Sequence, residues 1–187
     1  MSESTADSVQ STTQEQVMNF EAGQKYTTVE GNEYAVDFIA RESGNTTDLF
    51  VVYKRTSPDH DDTEEKYYLK KTTDLKSADD FDEKATDPST SEESIAEDEE
   101  LSVSVGQTYK HFKTKDLYII KAIAYDPKNP GNKFVIYEGQ YDSEDFGHNP
   151  IWVREYGDFT GMKVFGIGEL DGNGQQKAPV KRFELLD

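Results

Sequence analysis

Apolar residues in this chain fall into short runs, and most runs alternate with polar residues at a period of two. Tyr34, Val36, Phe38 and Ala40 interleave with Ala35, Asp37 and Ile39, which predicts a strand with one face in and one face out. Leu49–Tyr53 is continuously apolar and suits a buried strand, and Lys66–Lys70 predicts the next. The stretch between the first two strands is turn chemistry: Ser43–Asp48 reads SGNTTD, with Gly and Asn tolerating positive φ. The same sequence of elements returns later. Tyr118, Ile120, Ala122 and Ala124 alternate, Asp126–Lys133 (DPKNPGNK) is a strong turn signal, and Phe134–Tyr137 and Ile151–Arg154 follow. Lys163–Ile167 and Val180–Leu185, joined by a loop containing DGNG, read as a hairpin. Met18, Phe20 and Ala22 lead into Gly23, as Leu101, Val103 and Val105 lead into Gly106. No stretch sustains a helical period, although Asp74–Glu83 has room for a turn or two.

The return is a repeat at a nearly constant offset. Gly23 and Gly106, and Tyr26 and Tyr109, differ by 83; one inserted residue then moves the offset to 84. At 84, Tyr34 meets Tyr118, Val36 meets Ile120, and Ala40 meets Ala124. FVVY at Phe50–Tyr53 meets FVIY at Phe134–Tyr137, YYLK at Tyr67–Lys70 meets IWVR at Ile151–Arg154, and Asp74-Leu75 meets Asp158-Phe159. One offset across four separate runs points to a tandem duplication of a small unit. About five short strands per unit suggest a small barrel. The expected fold is therefore mainly β: two tandem SH3-like β-barrels, at residues 18–76 and 101–187, behind a disordered tail at 1–17 and joined by an acidic linker at 77–100.

Charge sharpens these boundaries. The chain of 187 residues carries a net charge of −18. Residues 1–19 contribute −3 and residues 76–100 contribute −9, whereas the second repeat, 101–187, contributes −1. The tail has too little apolar surface to offset its ordering entropy, and like charges extend the linker. Phe81 and Ile95 are the linker's large apolar residues. Neither repeat has a basic surplus, so direct binding to a phosphate backbone has no electrostatic support. An acidic surface that mimics nucleic acid or docks a basic protein stays open. The chain has no Cys, which removes disulfides and thiolate chemistry and fits a cytoplasmic location. The first residues, MSESTADSVQSTTQEQ, show no basic and apolar signal pattern, and no run is long enough to span a membrane.

Catalytic and metal signals are weak. His60, His111 and His148 stand in separate contexts, and no pair has metal-ligand spacing. Asp59, Asp61, Asp62, Glu64 and Glu65 crowd one loop without the glycine and terminal glutamate of a calcium loop. No catalytic residue, metal site or cofactor is expected. A binding face is more legible. Trp152 and Arg154, two apart on a strand, point the same way, with Val153 between them facing a core. Tyr109 and His111 share a face of the opening strand, and Arg182 comes from the closing one. Two readings fit these five residues: an aromatic–arginine platform for a peptide or planar ligand, or a structural cation–π contact sealing a barrel end.

The second repeat resembles the bacterial proteins grouped as domain of unknown function 1653. The resemblance covers about residues 103–186. It rests on Gly106-Gln107-Thr108-Tyr109-Lys110-His111-Phe112, Tyr118-Ile119-Ile120, Val135-Ile136-Tyr137, Ile151-Trp152-Val153-Arg154 and Val180-Lys181-Arg182-Phe183. Glu155 replaces that pattern's Pro, and AYDPKN at 124–129 replaces its Ala-x-His-Ser-Glu-Thr. The first repeat keeps the framework but has Thr28, Tyr68 and Lys70 at the places of His111, Trp152 and Arg154. The resemblance implies a fold and no settled activity.

These features point to a cytoplasmic, non-catalytic interaction protein with a protein or peptide partner and no membrane attachment. The alternative is an acidic inhibitor, from a phage or mobile element, that mimics nucleic acid. One asymmetry adds an expectation. At an offset of 84 the first repeat has Ala96–Leu101 (AEDEEL) where the second has its closing strand. Four consecutive acids make a poor strand, so the first unit should have an unpaired edge that invites another strand. Pairing inside the chain is favoured, because a tether of about 25 residues gives a roughly millimolar effective concentration.

Overall fold

The computed structural model describes residues 19–56, 65–82 and 103–186. The expected tail at 1–17, the acidic loop with His60, and the linker from 83 onward with Ile95 lie outside them. The first half contributes β1 (Lys25–Thr27), β2 (Glu33–Glu42), β3 (Leu49–Arg55) and β4 (Tyr67–Lys71). The second contributes β5 (Thr108–His111), β6 (Leu117–Tyr125), β7 (Lys133–Gly139), β8 (Asp142–Ser143), β9 (Gly147–His148), β10 (Ile151–Glu155), α1 (Tyr156–Thr160), β11 (Met162–Lys163), β12 (Val180–Lys181) and β13 (Phe183–Leu185).

The two halves share several backbone features at matching positions. In each half the opening strand pairs antiparallel with the long one, Tyr26 opposite Tyr34 and Tyr109 opposite Tyr118. The long strands are broken by matching bulges, between Val36 and Phe38 and between Ile120 and Ala122. Gly23 and Gly106, at φ 89° and 87°, each donate a backbone hydrogen bond to the long strand, at Val36 and Ile120. That left-handed conformation suits glycine. At the next turn the halves diverge: Gly31 has φ 88°, but its counterpart Lys115 holds φ 67°.

The two halves do not form separate sheets. Nine strands among the described residues join in one sheet, and six of them run in a ring: β6, β4, β3, β2, β10, β7 and back to β6. The ring closes through two parallel contacts between halves. Tyr68 lies opposite Tyr125 where β4 meets β6, and Trp152 lies opposite Arg41 where β10 meets β2. Shifted by 84, these are the same pair, so the halves meet as two copies meet in an isologous dimer. Each long strand can serve three neighbours because its start takes the opening strand and its last residues take the other half. One departure has a covalent cause. Ser43 extends the β2–β10 contact by donating its N–H to Val153 O at 3.2 Å, whereas Pro127, the counterpart of Ser43, has no N–H to donate.

Three clusters of buried side chains follow. Each half curls around its own: Tyr34, Val36, Val51 and Tyr53 in the first, and Tyr118, Ile120, Val135 and Tyr137 in the second. The third lies between the halves and takes Ala40, Val52 and Leu69 from one and Ala122, Ala124, Ile136 and Val153 from the other. Pairing within the chain thus occurs as expected, but by a different edge. The edge at β1 is covered by the chain itself. Ala78–Asp82 forms a 3-10 turn whose Phe81 is 2% exposed and packs on Tyr53, Tyr34 and Tyr26 at 4.6, 5.5 and 5.5 Å. Asp79 accepts the Val29 N–H at 2.7 Å, where in the second half Arg182 O accepts the Phe112 N–H at 3.0 Å. Phe81 takes the role that Phe183 plays on Tyr137 and Tyr118. Residues 77–82 therefore belong to the first half rather than to a linker beginning at 77.

Candidate functional site

Strand β10 decides the fate of the predicted platform. Its parallel contact with β2 and its pairing with β7 occupy both of its edges, and its two faces look into different clusters of buried side chains. Val153 points into the cluster between the halves, as expected, and is 1% exposed. Trp152 points into the second half's own cluster and is 7% exposed. Its indole N–H donates to Tyr141 Oη at 3.0 Å, and Phe146 meets it edge-on at 5.1 Å. Trp152 is thus a core residue and not a surface anchor. Tyr109 is buried too, edge-on to Phe159 at 5.1 Å.

The remaining residues do converge, around Phe183 and Asp158. The Arg154 guanidinium lies 5.9 Å from the Phe183 ring centre and pairs with Asp158 four residues on. Arg182 Nη2 reaches the same carboxylate at 2.9 Å, and its Nε donates to Asp158 O at 3.2 Å. One carboxylate held by α1 thus lies between two arginines, one from β10 and one from just before β13. His111 packs on Phe183 and Phe112, with ring centres 5.1 and 5.0 Å apart. Burial and the positive charges of Arg154 and Arg182 hold its pKa below the usual histidine value. The ring beneath the arginine is thus Phe183 and not Trp152, and the guanidinium already has a carboxylate partner.

Beside His111 the surface opens. A groove of about 410 Å³ runs between the end of β5 and the β11–β12 pair. Lys110, Lys115 and Lys181 face it with Glu184, and Phe112, Met162 and Val180 supply its apolar walls. Beyond it extends an arm, residues 161–182, with no counterpart among the described residues of the first half. The arm is shaped by its own polar contacts. Asp171 accepts the N–H groups of Asn173 and Gln175 at 2.8 and 2.9 Å, which holds its carboxyl below the usual range. Gln176 donates to Gly166 O at 2.9 Å. Four of its apolar side chains point outward: Val164 is 66% exposed and Ile167 fully so, with Met162 and Leu170 about half exposed. The expected hairpin of Lys163–Ile167 on Val180–Leu185 is shorter than predicted, pairing only Met162–Lys163 with Val180–Lys181.

A second, smaller recess of about 210 Å³ lies where β4 meets β6, between Lys70, Lys71, Asp74 and Asp126 over Phe50 and Phe134. Its lysines are engaged. Lys71 pairs with Asp48 at 2.7 Å, and Lys70 donates to Asp80 O. Among the described residues no three His, Asp or Glu side chains gather to hold a metal ion, and no helix is long and apolar enough to cross a membrane. No family model, curated protein or solved structure matches this chain.

Proposed function

We propose that this chain is a non-catalytic binding protein that meets a protein or peptide partner through the arm and groove of its second half. The carrying observation is where the exposed apolar surface sits. Of eight large hydrophobic side chains exposed among the described residues, Met162, Val164, Ile167 and Leu170 fall within nine positions of one arm. The first half reaches its covering phenylalanine without such an arm, so the fold does not require it. Clustered exposed apolar side chains rimmed by polar ones mark interaction surfaces. The five residues singled out in the sequence then have a supporting role: His111 borders the groove, and Tyr109, Trp152, Arg154 and Arg182 hold the surface behind it.

The finer ancestry belongs to the same proposal. Each half descends from one SH3-like unit of the kind described by domain of unknown function 1653, and the second half keeps more of its pattern. Matching bulges and matching glycine turns support that reading. Nothing on the described residues favours nucleic-acid mimicry, since the densest acidic stretch, 83–100, lies outside them. The test is capture from a host lysate with the full chain as bait, beside a Val164→Ser, Ile167→Ser variant. A partner retained by the parent and lost by the variant, at equal melting temperature, is expected. Identical retained proteins for both baits would overturn the assignment.

A further inference from the structure

We propose that the groove beside β13 receives an acidic, extended segment of the partner protein. The inference rests on the reading of the second half as the partner-binding surface and names the chemistry that surface selects. Charge carries it first. The groove places Lys110, Lys115 and Lys181 against the single acid Glu184, in a chain whose net charge is −18. An acidic segment is repelled by most of the chain and attracted here, which fixes where it lands and in which direction it lies. The walls carry it next. Phe112, Met162 and Val180 line the same groove, so apolar side chains alternating with the acids have surface to cover.

The backbone argues for an extended occupant. Among the described residues strand β13 is the last in the sheet order, and it pairs with β5. The Phe112 N–H bonds Arg182 O, and the Leu186 N–H bonds Thr108 O. Antiparallel pairing alternates, so the peptide groups of Phe183 and Leu185 turn away from β5. An edge of that kind accepts a further strand. The first half offers no such edge among its described residues, because there a 3-10 turn, Ala78–Asp82, stands in the place of β13. A nucleic-acid strand fits less well: three lysines displace few counterions.

The probe is a fluorescein-labelled peptide in which glutamates alternate with isoleucine and phenylalanine, titrated with the full chain. Controls are the same peptide with lysines for glutamates and a single-stranded oligonucleotide of equal charge. The acidic peptide should bind and the basic one should not. Reversing two groove charges, with Lys115→Glu and Lys181→Glu together, should weaken binding about tenfold at unchanged melting temperature, and added salt should weaken it as well. The Val164→Ser, Ile167→Ser variant should still bind this peptide. Equal binding of both peptides, binding unaffected by the lysine reversals, or binding of the oligonucleotide in the peptide's place would each overturn the inference. Should no peptide bind while the arm variant still loses its captured partner, this inference fails and the proposed function stands.

Discussion

Trp152 and Val153 are neighbours that face different cores, and their substitutions separate two energetic units. Trp152→Ala empties a site inside the second half and should cost about 3–5 kcal/mol, while Val153→Ala trims the cluster between halves and should cost about 1–3 kcal/mol. Urea unfolding of the two variants checks the order; a Trp152 variant no less stable than the Val153 variant would place the indole at the surface. The outward face expected for Trp152 came from the rule that a period-two strand buries one side. That rule holds for an antiparallel strand with one solvated face. Strand β10 lies in a ring and buries both sides, a feature hinted at only by the uninterrupted apolar run Ile151–Val153. Arg154 and Arg182 were legible as a pair of functional-looking cations, but the carboxylate between them was not. Asp158 lies on a turn of helix too short to show a period.

Among the elements, Ala78–Asp82 is the part least visible in the sequence and most open to test. Its composition is that of a solvated acidic stretch, yet Phe81 fills the first half's core, and its acids satisfy specific donors. Asp80 accepts the N–H groups of Lys76 and Ser77 at 2.6 and 2.7 Å. Asp82 accepts from Asn32 at 2.8 Å and Tyr34 at 2.7 Å. Burial pushes the Asp82 carboxyl up, but these hydrogen bonds, one from Thr28 and the charge of Arg55 outweigh it and hold its pKa below the usual value. A carboxylate with a depressed folded pKa stabilises the fold above its unfolded pKa, and that contribution is lost as pH falls through the folded value. Acidification from about pH 5 downward should therefore loosen the cover. Amide exchange at Val29, whose N–H is held by Asp79, should speed up over that range, and Asp82→Asn should flatten the dependence. Exchange at Val29 that is indifferent to pH, after correction for the intrinsic rate, would show that the acids do not hold the turn.

For the whole molecule, the strand runs, their order and the offset of 84 were readable, because alternation and turn chemistry are local signals. How the halves meet was not. Two parallel contacts of two residue pairs each leave no mark on a linear pattern, and the alanines at 40, 122 and 124 that let the halves approach resemble ordinary strand fillers. The central claim is that the halves share one ring of strands closed by two equivalent contacts, with a common core between them. Cutting the chain between them tests it most directly. A protease site inserted between residues 84 and 100 leaves every described strand intact, and the cleaved protein is then passed over a sizing column at low micromolar concentration. The fragments should elute together at the position of the uncut chain and separate only in denaturant. Two fragments eluting independently, each still folded, would contradict the shared ring.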